Sequence, residues 1–255
     1  MVRFFERRNI MQGLILAGGL ATRLRPLTMV TNKHLLPVYD KPMIYYPIEA
    51  MQKAGIKEVL LTTGGESIAQ FANLLKSGEE FGMCMYYGVQ SNPKGGIADA
   101  IALAEEFTHD EPLCVILGDN IFDYNLKPAV EAFEKQKVGA KVFGIHMKMD
   151  AKQYGVIEVD DTGKVLSIEE KPEHPKSDIA QTGIYMYDQK VFEYIKKLSP
   201  SARGELEVTD LNNMYLKDGN LTCEIIDWWV DAGTSYDELL RANNQVAEKM
   251  KKGSV

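Results

Sequence analysis

The sequence predicts an α/β protein with a Rossmann-like, mostly parallel central sheet and a smaller, partly antiparallel lobe. Three observations carry this reading. Strand-length apolar runs alternate with amphipathic helical patterns through the first half of the chain. Those strand runs are continuously apolar, as in strands covered by helices on both faces. After about Ala140 the rhythm changes to shorter β-rich pieces.

In order, "GLILA" (13–17) reads as a buried strand, and "MIYYPIEAMQKAG" (43–55) as a helix ended by Gly55. The strand "EVLLTT" (58–63), the helix "SIAQFANLLKSG" (67–78) and the strand "MCMYYGV" (83–89) follow. Next come the helix "IADAIALAEEF" (97–107) and the strand "LCVILGD" (113–119). In such a sheet, ligands gather at the C-terminal ends of the strands. The pieces "AKVFGIHM", "YGVIEVD", "KVLSIEEKP" and "AQTGIYMYD" then supply the second lobe, with "DDTG" (160–163) as a hairpin turn. A helix around Glu205 to Lys217 and a strand "CEIIDWWVD" (223–231) precede a terminal helix. That helix opens with a capping box, Ser235 to Glu238, and carries a stripe of Leu239, Leu240, Val246 and Met250. The expected organisation is one unit over 11–255, preceded by an extension at 1–10. Within it, 11–139 and 140–231 form two portions and 232–255 a C-terminal helix.

Composition narrows the function classes. A 255-residue chain with 45% hydrophobic and 25% charged residues buries a sizeable core. Its net charge of -7 argues against a protein that neutralises a nucleic-acid backbone. The longest apolar runs are strand-length and the start lacks a signal-peptide pattern, so no membrane partner and a cytoplasmic location are expected. Cys84, Cys114 and Cys223 are three, far apart and without a C-x-x-C, which suits buried thiols better than a disulfide frame or a structural zinc.

The loop "AGGLATRLRPLT" (17–28) carries the chemistry. A dinucleotide fold wants G-x-G-x-x-G, whereas Gly18 and Gly19 are adjacent and no third glycine follows. A P-loop wants a Lys-Ser/Thr pair that this loop lacks. A plain structural turn is the remaining alternative. Small residues whose backbone N–H groups can approach a polyanion, with Arg23 and Arg25 to clamp it, suit a triphosphate. Lys33 follows closely, on a path stiffened by Pro37 and Pro42.

Together "LILAGGLATRL", "LLPVYDKPMIYYP", "LGDNIF", "EEKP", "TGIYMYD", "SARGELEVTDLNN" and "WWVDAGT" resemble the sugar-nucleotide nucleotidyltransferases, most closely their thymidylyl-transferring branch. The resemblance runs in order from Met11 onward. It implies the nucleotide-diphospho-sugar transferase type of fold and an in-line attack by a sugar-1-phosphate on the α-phosphorus of a nucleoside triphosphate, with dTTP and glucose 1-phosphate as the expected pair. UTP or another hexose 1-phosphate, or a non-catalytic nucleotide-sugar-binding subunit, are the alternatives.

By the same resemblance Arg23 and Lys33 are the catalytic cations, and Asp119 and Asp231 the ligands of a Mg²⁺ cofactor. Leu16, Ala17, Gly18, Gly19, Gln90 and Asp119 face the nucleotide. Gly96 or Gly95 brings the backbone close to the base, the loop being one residue longer than the usual pattern. The sugar-phosphate side takes Asn120, Gly155, Glu170, Lys171, Thr182, Gly183, Tyr185 and Arg203, with Glu170 reading hydroxyls, Lys171 holding the phosphate and the glycines letting backbone groups reach the sugar.

Four departures accompany the resemblance, the first being the ten residues that precede Met11, where the family normally begins. Ala21 stands where glycine is usual, tolerable if its φ is negative or the left-handed cost is absorbed. His34 replaces a common glutamine beside Lys33; it either donates a hydrogen bond near a phosphate, with a charge that changes near pH 6.5, or is simply a packed histidine. The chain also stops soon after its terminal helix, without the segment that longer thymidylyltransferases use near an effector site and subunit contact. That bears on feedback inhibition and on the homo-oligomer.

Overall fold

β1 (Gln12–Leu16) shows how the sequence builds its layers: Ile15 packs into one helical layer, Leu14 and Leu16 into the other. The computed structural model describes residues 11–136, 138–147 and 151–251; the expected extension at 1–10 lies outside them. After β1 come β2 (Pro37–Val38), β3 (Lys41–Pro42), α1 (Tyr45–Ala54), β4 (Glu58–Thr63), α2 (Ile68–Leu75), β5 (Cys84–Val89), α3 (Gly96–Ala102) and β6 (Leu113–Leu117). The second half runs β7 (Asn120–Phe122), α4 (Lys127–Gln136), β8 (Ala140–His146), β9 (Gly155–Val159), β10 (Val165–Glu170), β11 (Ile179–Tyr187), α5 (Lys190–Ile195) and α6 (Val208–Lys217). It closes with β12 (Leu221–Ile225), β13 (Trp229–Asp231) and α7 (Tyr236–Lys251).

The nine-stranded sheet follows the order β10-β9-β11-β6-β1-β4-β5, with β8 on β11 and β12 on β8. β6, β1, β4 and β5 are mutually parallel, and the long β11 joins them antiparallel through β6. Two small antiparallel ribbons, β13–β7 and β2–β3, stand apart. Residues of α1, α2 and α4, such as Met51, Phe71 and Phe133, fill one face of the sheet. Ile101, Phe192 and Tyr215 of α3, α5 and α6 fill the other. Each of these side chains contributes about 1.5–3 kcal/mol on burial. Gly55 ends α1 in the left-handed conformation, with φ 87.

Several expectations change. The run "CEIIDWWVD" is two strands: β12 pairs with β8 in the large sheet, while β13 pairs with β7 in a separate ribbon. The break falls at Asp227, but a mostly apolar run does not reveal such a change of partner. α4 and α5 escaped the sequence reading, and α3 stops at Ala102 instead of reaching 107. In α7 the cap forms, Glu238 N donating to Ser235 Oγ at 3.1 Å, and Leu239, Val246 and Met250 pack inward. Leu240 falls off that face and is exposed. Cys114 is buried, yet Cys84 is exposed because β5 is the sheet edge. Among the described residues no helix is long and apolar enough to cross a membrane.

Candidate active site

A cleft of about 710 Å³ opens at the C-terminal ends of β1, β5 and β6 and extends over β9, β10 and β11. Its floor is set by the β7–β13 ribbon, whose register pairs Asn120 with Asp231. This pairing, with Ala232 N donating to the Asp119 carbonyl at 2.9 Å, brings Asp119 and Asp231 to one point from opposite halves of the chain. Lys33, on the 3₁₀ turn Lys33–Leu35, ion-pairs with Asp119 there. Gly233 completes the junction, because a Cβ at that position would collide with the Asp119 carboxylate and lie 2.8 Å from Lys33 Nζ.

Electrostatics at the junction follow from burial. Desolvation disfavours the Lys33 charge, but Asp119, with Asp231 behind it, more than restores it and holds the ammonium above its ordinary range. Burial also opposes ionisation of Asp119, and Lys33 overrides it, holding the carboxyl well below the usual range. Asp231 is pushed up to about 6 by burial and by the charge of Asp119. Two carboxylates, Asp119 buried and Asp231 half-buried, facing Lys33 are left short of positive charge. Among the described residues no group of three or more potential side-chain ligands occurs. That donor set fits a Mg²⁺ site completed by substrate phosphates and not an all-protein cage.

The glycine loop after β1 behaves only in part as expected. Gly18, Gly19 and Arg23 line the cleft, as does Leu16. Ala17 does not: its N–H donates to Thr62 and its carbonyl accepts from Thr63 and Asn32, so the residue ties the loop to the sheet. Arg25 also leaves the site, since the turn Thr22–Leu24 buries Leu24 and directs Arg23 alone into the cleft. Ala21 adopts φ 44 and ψ 39, the left-handed conformation, and its carbonyl accepts from Leu24 N and Thr28 Oγ1. His34 is buried and pushed down to about 3 by desolvation and by Lys33. Its Nδ1 lies 2.7 Å from Asn32 Oδ1, an acceptor for His34 N as well. The ring proton is thus directed at Asn32, leaving Nε2 an acceptor, which agrees with a packed histidine and not with donation to a phosphate or titration near neutrality.

In the loop after β5, Gly96 lines the cleft and Gly95 does not. Gly96 has φ 88, and a Cβ there would meet the Leu206 carbonyl at 2.5 Å. The close approach is to the chain's own backbone. The Gly95 carbonyl accepts from Leu206 N at 2.9 Å.

On the other side, Gly155, Glu170, Lys171, Thr182, Gly183, Tyr185 and Arg203 all line the cleft. Glu170 accepts from Thr209 Oγ1 at 2.7 Å and from Arg203 Nη2 at 3.3 Å. Arg203 is more firmly held by Glu207, with Nη2 to Oε2 at 2.8 Å, and so reaches the cleft already paired. Lys171 sits at φ 45 ahead of Pro172, a strained conformation that concentrates at functional sites. A register shift between Gln181 and Tyr185 bulges β11 away from β8. There Thr182 Oγ1 donates to the Phe143 carbonyl, and Gly183 N donates to Asn120 Oδ1 at 2.8 Å. Gly183 therefore spends its N–H within the protein, and its missing Cβ makes room for Leu117 and Asn120. Asn120 is buried too, accepting from Trp229 Nε1 and donating to Asp119 Oδ1 at 3.1 Å. It braces the carboxylate against the bulge.

The Nucleotidyl transferase family pattern matches residues 12–249. The chain belongs to the nucleotidyl transferase family. Among curated relatives of this nucleotidyl transferase, the glucose-1-phosphate thymidylyltransferase of Neisseria gonorrhoeae is 48% identical over 228 residues, 88% of this chain and 78% of the relative. That of Xanthomonas campestris is 43% identical over 246 residues, 95% of this chain and 83% of the relative. A Bacillus anthracis structure with sucrose, provisionally described as a glucose-1-phosphate thymidylyltransferase, superposes at TM-score 0.87. It is 49% identical, covering 92% of this chain and 94% of that one. A UDP-glucose pyrophosphorylase complexed with UDP-glucose superposes at 0.79 with 26% identity, covering 94% and 99%.

Sequence reasoning missed Tyr154, Trp229, Gln181 and Glu207, all in the cleft wall of this nucleotidyl transferase. The rings of Tyr154 and Trp229 meet edge to face at 5.3 Å. Tyr187 hydroxyl, Asn212 and Gln181 form a hydrogen-bonded chain that ends with Gln181 Nε2 donating to the Tyr185 oxygen at 3.4 Å. "WWVDAGT" held the one available signal, a tryptophan two residues from Asp231.

Proposed function

We propose that this nucleotidyl transferase converts dTTP and α-D-glucose 1-phosphate to dTDP-glucose and diphosphate, as a cytoplasmic glucose-1-phosphate thymidylyltransferase. The observation that carries the reading is the Lys33–Asp119–Asp231 junction, which lies in one cleft between the glycine loop and the Glu170–Lys171 pair. The names of the relatives supply the substrate pair.

In this reading residues 11–139 take the nucleotide and 140–231 the sugar phosphate. Gly18 and Gly19 leave room for the triphosphate, Arg23 neutralises it, and Gln90 contacts the base. Lys171 holds the phosphate of the sugar and Glu170 its hydroxyls, with Tyr185 alongside. A sugar-phosphate oxygen bonds to the α-phosphorus as the bond to the β-phosphate oxygen breaks, and no proton need move. Catalysis then rests on alignment and on cations that offset the developing charge, with Lys33 at the reacting centre. Asp119 and Asp231 would hold Mg²⁺, which supplies Lewis-acid stabilisation of the phosphates when bound.

Pyrophosphate release with Mg²⁺ and glucose 1-phosphate, measured across the four dNTPs and UTP, tests the proposal. Turnover greatest with dTTP is expected. A preference for UTP would move the reading to a uridylyl transferase, a distinction resting on one methyl group. No release with any pair, alongside tight nucleotide-sugar binding, would make the protein a binder.

A further inference from the structure

Gln90 is buried just after β5. Its Nε2 donates to Asp99 Oδ2 at 3.0 Å and to the Gly96 carbonyl at 3.4 Å. A carboxylate and a carbonyl are acceptors only, so a flipped amide would set its oxygen against both. Both amide hydrogens are therefore committed, and only Oε1 remains to meet a ligand. That oxygen lies on the Gly18 side, 2.7 Å from where a Cβ of residue 18 would stand, so Gly18 keeps its approach open. Asp99 reaches this position from α3 because Gly95 has no side chain: a Cβ there would collide with the Asp99 carboxylate. The segment "GGIAD" (95–99) thus acts as a unit, with Gly95 giving space, Gly96 a carbonyl and Asp99 a carboxylate.

We propose that Asp99 is a positioning residue that sets nucleobase choice, by locking the Gln90 amide so that the pocket presents an acceptor and takes a base bearing an N–H on that edge. The inference rests on the reading of Gln90 as the base contact. Thymine and uracil carry N3–H and satisfy Oε1. Cytosine, of the same size, offers a bare N3 and leaves two acceptors facing each other, an arrangement that a site built for hydrogen bonding rejects strongly.

The test compares kcat/KM for dTTP and dCTP, with glucose 1-phosphate and Mg²⁺, in the parent, Asp99→Asn, Asp99→Glu and Gln90→Ala. Calorimetric titration with dTDP and dCDP runs in parallel and does not depend on turnover. Asparagine at 99 can donate as well as accept, so only the longer 3.4 Å contact to the Gly96 carbonyl still opposes a flipped Gln90 amide. Asp99→Asn is expected to raise the dCTP:dTTP ratio at least tenfold, through nucleotide KM more than kcat, with the same trend in the diphosphate affinities. Asp99→Glu keeps an acceptor-only group and is expected to restore most of the discrimination, which a purely structural role would not predict. If Gln90→Ala shifts the ratio while Asp99→Asn leaves it within twofold, the Asp99 assignment is overturned and Gln90 stands. If neither shifts it, the base contact falls too. If the parent transfers no nucleotide, the titrations still decide Asp99 and the loss belongs to the transfer reading.

Discussion

Replacing Lys33 by methionine keeps a long unbranched side chain and removes an ammonium that faces the buried Asp119 and the half-buried Asp231. Lys33 and Asp119 are 18% and 10% exposed at the cleft floor, so solvent screens the pair little. Breaking a buried pair costs about 3–5 kcal/mol, and the opening to the cleft places this one near ~3 kcal/mol. For a chain of this size that corresponds to roughly 6–12 °C in Tm. The pH dependence should change in a defined sense. Without Lys33, the Asp119 carboxyl loses what holds it low and joins Asp231, already at about 6, above the range of the unfolded chain. Groups raised in this way bind protons that the unfolded state has released, so Lys33→Met should lose stability as pH rises from 5 to 8. Mg²⁺ should recover part of the loss and raise the Tm of Lys33→Met more than that of the parent. Differential scanning calorimetry at pH 5, 6.5 and 8, with and without Mg²⁺, reads all three effects. A Tm within 2 °C of the parent at pH 8 would refute the view that Lys33 holds the two carboxylates together.

Three further outcomes are expected. His34 sits at about 3 when folded against 6.5 unfolded, so acid below pH 6.5 protonates the unfolded chain first and costs about 1.4 kcal/mol per pH unit. His34→Gln should flatten the fall in urea-unfolding free energy between pH 6.5 and 5; an unchanged slope would show that the imidazole is protonated in the folded protein. Ala21→Gly relieves a left-handed residue that costs about 1–2 kcal/mol, offset by up to ~1 kcal/mol of unfolded-chain freedom. It should stabilise by roughly 0.5 kcal/mol, and a clear loss in the same unfolding experiment would contradict the strain. Lys171→Ala should raise the KM for glucose 1-phosphate by about 10–100-fold, the value of a charged hydrogen bond, with far less effect on dTTP. Equal rises for both substrates would argue against two separate pockets.

The sequence by itself determined the local elements. β4 matches the expected span, and β1, β5, β6, α1 and α2 match to within a few residues, because continuous apolar runs and a glycine stop act at short range. It also indicated which chemistry-bearing residues meet: Arg23, Lys33, Asp119, Asp231, Glu170 and Lys171 line one cleft. Only the tertiary structure decided how each is used. Asp119 meets Asp231 because the chain leaves the large sheet after β12 and pairs β13 with β7, a change of partner that hydrophobicity does not encode. Gly183 and Ala17 spend their backbone groups inside the protein, and His34 is neutral, because burial and neighbouring acceptors fix hydrogen-bond roles. The same holds for Asp99, whose place beneath Gln90 depends on the fold of the loop around Gly95 and Gly96.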